Sequence, residues 1–254
     1  MFPLRDDNPT ELFPVVTLLI IAACVSVWIL VQGGGLDERT LARSVCSLGA
    51  IPAEIAGGER GAVGVGRGIR CELGGLTWGA LFTSMFLHGG WLHLVGNMWF
   101  LWIFGNNVED SMGHLRFLVF YVITGLVAAG AHVLSAPESA VPVVGASGAI
   151  SAVMGAYLVL YPRAHVRTLL ILIVLITVVS LPAWVYLGYW FLLQLGSSFG
   201  QPSGATGGVA FWAHVGGFVA GVVLIPVFRN PKLVQAKRAG VRLQPGQIEH
   251  GGWW

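Results

Sequence analysis

The stretch "VVGASGAISAVMGAY", residues 143–157, decides how this chain is read. A serine, Ser147, stands among small residues at its start, and a smooth apolar run of helical length follows. From Ser147, Ser151 and Gly155 recur at i+4 and i+8, so one face of the predicted helix carries small side chains. Such a stripe lets two membrane helices approach closely. A serine that opens a helix is ordinarily an N-cap, so the meaning of Ser147 depends on the rest of the chain.

That chain is built for lipid. Of its 254 residues, 55% are hydrophobic and 10% charged, against roughly 25% charged in soluble domains. The mean hydropathy is +0.75. A formal net charge of +2 gives no reason to expect nucleic acid as a partner. Apolar runs approaching or exceeding the roughly 17–25 residues of a span cover about 13–31, 79–104, 117–134, 147–161, 166–195 and 208–228. The expected fold is therefore an all-α membrane protein, a bundle of six transmembrane helices. The first run follows the acidic "RDDNPTE" and lacks a small-x-small cleavage site, so it reads as a retained span rather than a signal peptide. The fifth is long and is interrupted by Pro182. With Gly188 it should be irregular, which makes it the expected substrate gate.

Lysine and arginine set the orientation. With both termini inside, Arg5, Arg116, Arg163, Arg167, Arg229, Lys232, Lys237, Arg238 and Arg242 face inward. Arg39, Arg43, Arg60, Arg67 and Arg70 share one long outer connection. This favours N-in and C-in. Residues 1–12 then form a cytoplasmic N-terminal segment, 13–228 the six-span unit with its long outer loop at 32–78, and 229–254 a polar cytoplasmic tail. Cys46 and Cys71 lie in the outer loop and can pair in an oxidising compartment or remain two thiols.

Polar residues inside spans are costly and point to function. The second run contains "FLHGGWLHLVGNMWF", in which His93 and Asn97 share a helical face and His88 precedes them near the outer end. "HGGWLH" is not the HExxH of a zinc protease, since no glutamate stands between the histidines. The sixth run contains "FWAHVGGFVAG", where Gly217 and Gly221 follow His214 at i+3 and i+7. If the small-residue stripes of the fourth and sixth helices face each other, Ser147 meets His214 as nucleophile and general base. A helix start at Ser147 offers backbone N–H groups to an oxyanion, with His93 and Asn97 available as further donors. The predicted spans hold almost no acids, so a dyad is expected rather than a triad.

At these residues the chain resembles the rhomboid family of intramembrane serine proteases. The resemblance rests on "GASG" with Ser147, "AHVGGFVAG" with His214, Gly217 and Gly221, and "HGGWLHLVGN" with His93 and Asn97, on the fourth, sixth and second predicted spans. It covers about residues 13–228. It implies a six-helix bundle around a water-filled cavity, with Ser147 as nucleophile and His214 as base. It implies an oxyanion hole of His93, Asn97 and the Ser147 backbone N–H, His88 near the active-site mouth, and a structural role for Glu109 on the cytoplasmic side. The implied substrates are single-span membrane proteins cut in or near the span, with no cofactor and no metal. The implied location is the lipid bilayer of a bacterial cell (inner) membrane.

The chain departs from the family in two places. Some members carry an aromatic residue four positions after the serine, packed on the catalytic histidine, where this chain has Ser151. The frequent Trp-Arg pair of the first loop is also not evident. Three other readings compete. A non-proteolytic rhomboid-like protein that binds membrane clients usually lacks the serine or histidine, and both are present here. A haem or metal protein would use His88, His93, His132 and His214. A transporter would show repeat symmetry or buried charge pairs.

Overall fold

The computed structural model describes residues 1–57, 61–64, 70–74, 78–172, 175–200 and 210–239. Within them helices dominate: α1 (Val15–Leu30), α2 (Glu38–Leu48), α3 (Pro52–Ile55), α4 (Ala80–Thr83), α5 (Trp91–Met112), α6 (His114–Ser135), α7 (Ser147–Leu160), α8 (Ala183–Gly200), α9 (Phe211–Phe228) and α10 (Pro231–Arg238). Strands β1 (Phe2–Asp6), β4 (His165–Leu172) and β5 (Leu175–Pro182) form one antiparallel sheet in the order β1-β4-β5. Strands β2 (Gly61–Gly64) and β3 (Arg70–Leu73) form a second. Helices α6 and α9 are long and apolar enough to cross a membrane, and α1 and α7 are shorter apolar helices.

The apolar run at 166–195 is not one helix, as expected, but a β-hairpin followed by α8. Val166, Thr168, Ile171, Ile176, Thr177, Val178 and Val179 are β-branched, which disfavours helix and suits a pleated surface. Pro182 ends the second strand, and α8 starts at the next residue. The N-terminal segment joins this hairpin, with Phe2 opposite Leu169 and Asp6 opposite Val166. The second run is also revised. After α4 and a 3₁₀ turn the chain is non-helical through His88, and the long helix begins at Trp91 and continues to Met112, past the expected end near residue 104. His88 therefore precedes the helix rather than lying in it.

Buried polar bonds gather β1, the end of α5 and the C-terminal segment at one end of the bundle. The Glu109 carboxylate, 0% exposed, accepts hydrogen bonds from Val16 N (2.9 Å), Thr17 N (2.8 Å) and Thr17 Oγ1 (2.7 Å). It thus caps the first turn of α1, whose amides have no partner within their own helix. Asp110 accepts from Glu11 N and Leu12 N, and from Lys237 Nζ at 2.8 Å. Asp6 accepts from Asn107 Nδ2 and from the Tyr157 hydroxyl. The polar segment after residue 228 begins with α10, capped by Asn230 and docked through Lys237 onto Asn107 and Asp110.

In the connection between α1 and α4, Cys46 and Cys71 are joined by a disulfide, which ties β3 to α2. Arg60, Arg67, Gly208 and Arg242, used above to assign sidedness and span limits, lie outside the described residues.

Candidate active site

The opposite end of the bundle holds the starts of α5, α7 and α9. Helix α7 begins at Ser147, with Ala146 at the N-cap position. The Ser147 side chain is therefore not a capping group, and the ordinary explanation for a serine at a helix start does not apply. Ser147 is half-buried, and the first amides of its helix lie where an anion would be favoured.

The loop before Ser147 is held from two sides. Val143 exchanges backbone hydrogen bonds with Ala50 (2.7 and 3.0 Å), and Gly145 N donates to Ser84 O at 2.9 Å. Gly145 has φ +125°, a conformation that side chains resist, and it has no room for one. A Cβ there would lie 2.7 Å from both Cε1 and Nε2 of His93 and 3.6 Å from Asn97 Nδ2. The loop thus presses against both side chains two residues before Ser147.

Their polar atoms suit that neighbourhood. Gly89 N donates to His93 Nδ1 at 3.3 Å, so in this tautomer Nε2 carries the proton and is a donor beside Gly145. Asn97 is 8% exposed, and its Nδ2 is buried with no hydrogen-bond partner among the described residues. His88 is fully buried, with its ring edge-on to His93 at 5.2 Å between centroids. Its backbone is clamped by Gln32, which donates from Nε2 to His88 O and accepts from His88 N, both at 2.8 Å. Gln32 follows α1, and its distance along the sequence from His88 hid this contact.

Helices α7 and α9 meet backbone to backbone. A Cβ on Gly217 would overlap the carbonyl oxygen of Gly148, one on Gly221 that of Ala152, and one on Gly155 that of Phe218. Of the residues expected at this seam, Gly155, Gly217 and Gly221 lie in it, while the α7 backbone that α9 approaches is that of Gly148 and Ala152, each one position after Ser147 and Ser151. Ser147 adjoins Gly148, and His214 stands one turn before Gly217, so the serine and histidine ends lie at this seam. Ser151 donates to Ser147 O at 2.6 Å, which keeps its hydroxyl on its own helix.

His214 is 8% exposed. Its Nδ1 is hydrogen-bonded to Gln194 Oε1 on α8 at 2.8 Å. Trp190, one turn earlier on α8, lies 5.9 Å from the imidazole between ring centroids, and Phe211 flanks it edge-on at 6.3 Å. The aromatic contact missing at Ser151 is thus supplied from another helix. Among the described residues no group of three or more His, Cys, Asp or Glu is placed to hold a metal ion.

A family model described as Rhomboid domain matches residues 76–231, more than half of the chain. The chain is 40% identical over 74 residues to "Rhomboid-like protein 11, chloroplastic" of Arabidopsis thaliana, covering 29% of this chain and 26% of the relative. It is 39% identical over 97 residues to "RHOMBOID-like protein 6, mitochondrial" of the same plant, covering 34% and 31%. It is 36% identical over 81 residues to "Putative rhomboid protease YdcA" of Bacillus subtilis (strain 168), covering 32% and 40%. These matches span less than half the length of each relative. With the family match extending from before α4 to the start of α10, this integral membrane protein belongs to the rhomboid family.

Proposed function

We propose that the protein is an intramembrane serine endopeptidase that cuts single-span membrane proteins in or near their spans with a Ser147–His214 dyad. The observation that carries this reading is the glycine-mediated contact of α7 with α9, which brings the serine end of one helix beside the histidine end of the other. In the proposed reaction Ser147 Oγ attacks the scissile carbonyl carbon while His214 Nε2 takes the hydroxyl proton. The developing oxyanion is held by the Ser147 N–H, His93 Nε2–H and Asn97 Nδ2–H. Breakage of the C–N bond passes the proton from His214 to the leaving amine. Water, deprotonated by the same imidazole, then hydrolyses the acyl-serine ester. No cofactor enters these steps.

The proposed topology has α1, α5, α6, α7, α8 and α9 as six spans, with both termini in the cytoplasm. Two facts support it. Strand β1, the 165–182 hairpin and α10 share one end of the bundle, and Arg5, Arg116, Arg163, Arg167, Arg229 and Lys232 belong to that end by sequence. Residues 13–228 are the proposed catalytic unit, flanked by 1–12 and 229–254. We place it in a bacterial cell membrane, in keeping with the Bacillus relative.

The test uses purified protein in liposomes with a single-span test substrate and a fluorophosphonate label. Ser147→Ala and His214→Ala should abolish cleavage and labelling, and Ser147→Ala should unfold as the wild type does. Cleavage at the wild-type rate by Ser147→Ala would sink the mechanism. If the wild type neither cut nor reacted, a client-binding role would take its place.

A further inference from the structure

A general base needs its accepting nitrogen unprotonated and aimed, and in a membrane dyad no carboxylate is at hand to hold it so. We propose that Gln194 is the positioning residue for His214, fixing its tautomer and ring orientation through a hydrogen bond from Nδ1–H to its amide oxygen. The inference rests on the dyad described above and adds a third member to it, drawn from α8.

Three observations support it. Gln194 Oε1 lies 2.8 Å from His214 Nδ1, a short and well-formed contact. With Oε1 accepting, Nδ1 must carry the proton, which leaves Nε2 with the lone pair that a base requires. The second contact on the ring comes from the same helix, since Trp190 and Gln194 stand one turn apart on α8 and both meet the imidazole. Ser151, at the position expected to brace the ring, spends its hydroxyl on Ser147 O instead.

The residue type also follows from the setting. An ionised aspartate here would have to be stripped of water inside an apolar bundle, whereas an amide accepts the same hydrogen bond without a charge to desolvate. An amide has a complementary weakness. Rotated by half a turn it would offer NH₂ to Nδ1, force the proton onto Nε2 and disable the base, so its orientation matters as much as its presence.

The experiment reads the tautomer directly. Long-range ¹H–¹⁵N spectra of histidine-labelled Ser147→Ala protein, assigned with His214→Ala, should show His214 as the Nδ1–H form. Adding Gln194→Leu should move it toward the Nε2–H form. In the Ser147 background, Gln194→Leu should slow fluorophosphonate labelling about tenfold, the weight of one hydrogen bond, and lower kcat with KM little changed. Gln194→Glu, which as a neutral carboxyl keeps the carbonyl acceptor without a charge to desolvate, should restore most of the rate. Finding the Nε2–H form in the Gln194 protein, labelling of Gln194→Leu at the wild-type rate, or equal losses in the Leu and Glu variants would each overturn the proposal. The tautomer is read in a protein without its serine hydroxyl, so this result stands apart from whether the chain is a protease. Cleavage by Ser147→Ala would overturn that reading alone.

Discussion

Gly217→Ala puts a methyl group where α9 rests on α7. The added Cβ would overlap the carbonyl oxygen of Gly148 and lie 3.0 Å from its carbonyl carbon and 3.2 Å from Ala128 Cβ. A helix backbone cannot rotate out of the way as a flexible side chain can, so α9 must move outward. Restoring ordinary van der Waals separation requires about 1 Å. Overpacking of this kind costs about 1–3 kcal/mol. The displacement acts one turn from His214 and one residue from Ser147, where a 1 Å misplacement costs about 10²-fold in turnover. The assay compares kcat on a single-span test substrate with unfolding in the same detergent. Gly130→Ala serves as the control, because a Cβ there meets nothing within 4 Å. That control should keep full turnover and unfold within about 1 kcal/mol of the wild type. Wild-type stability and turnover in Gly217→Ala would refute the backbone contact. Lowered stability with unchanged turnover would refute the link between helix separation and catalysis.

Other consequences are open to the same assays. Removing the proposed oxyanion donor with Asn97→Ala should lower kcat about 10²–10³-fold. Stability should change by no more than about 1 kcal/mol, since Nδ2 has no partner to lose among the described residues; undiminished turnover would remove Asn97 from the hole. Glu109→Ala strips the cap from α1 and leaves Val16 N and Thr17 N buried without it, at about 3 kcal/mol, measurable as a fall in unfolding free energy. Burial raises the Asp6 carboxyl from 3.8 to about 6, against the lowering effects of the Tyr157 hydrogen bond and of Lys237. A folded-state value above the unfolded one gives stability that is full below about pH 4 and is lost as pH rises through about 6, up to about 3 kcal/mol in all. Asp6→Asn should flatten that part of the stability profile, and an unchanged slope would reject the assignment.

What could be read from the sequence follows from how far apart the interacting residues lie. The small stripes of Ser147, Ser151 and Gly155 and of Gly217 and Gly221 are local, and helix geometry alone puts each on one face. His93 and Asn97 are linked in the same way. The close approach at Gly155, Gly217 and Gly221 was therefore legible once a membrane bundle was assumed, whereas the α7 side of it runs through Gly148 and Ala152, one position along from the serines. The hairpin was not legible, because a long apolar run has no clear period to separate strand from helix. Its β-branched richness and Pro182 were the available signals, and the pairing with β1 crosses more than 150 positions.

The supports of the site share one trait that the sequence does show. Gln32 and Gln194 act on residues 56 and 20 positions away, yet each is an uncharged amide next to or within an apolar run. Gln194 is the single amide between residues 166 and 195. A side chain that must satisfy a donor and an acceptor without water is retained in such a run only if it has partners. His214, in the next apolar run, has no acid beside it among the described residues and is oriented by such a partner. The lone amide of one apolar run and the histidine of the next are thus the pair that the sequence itself puts forward for this contact.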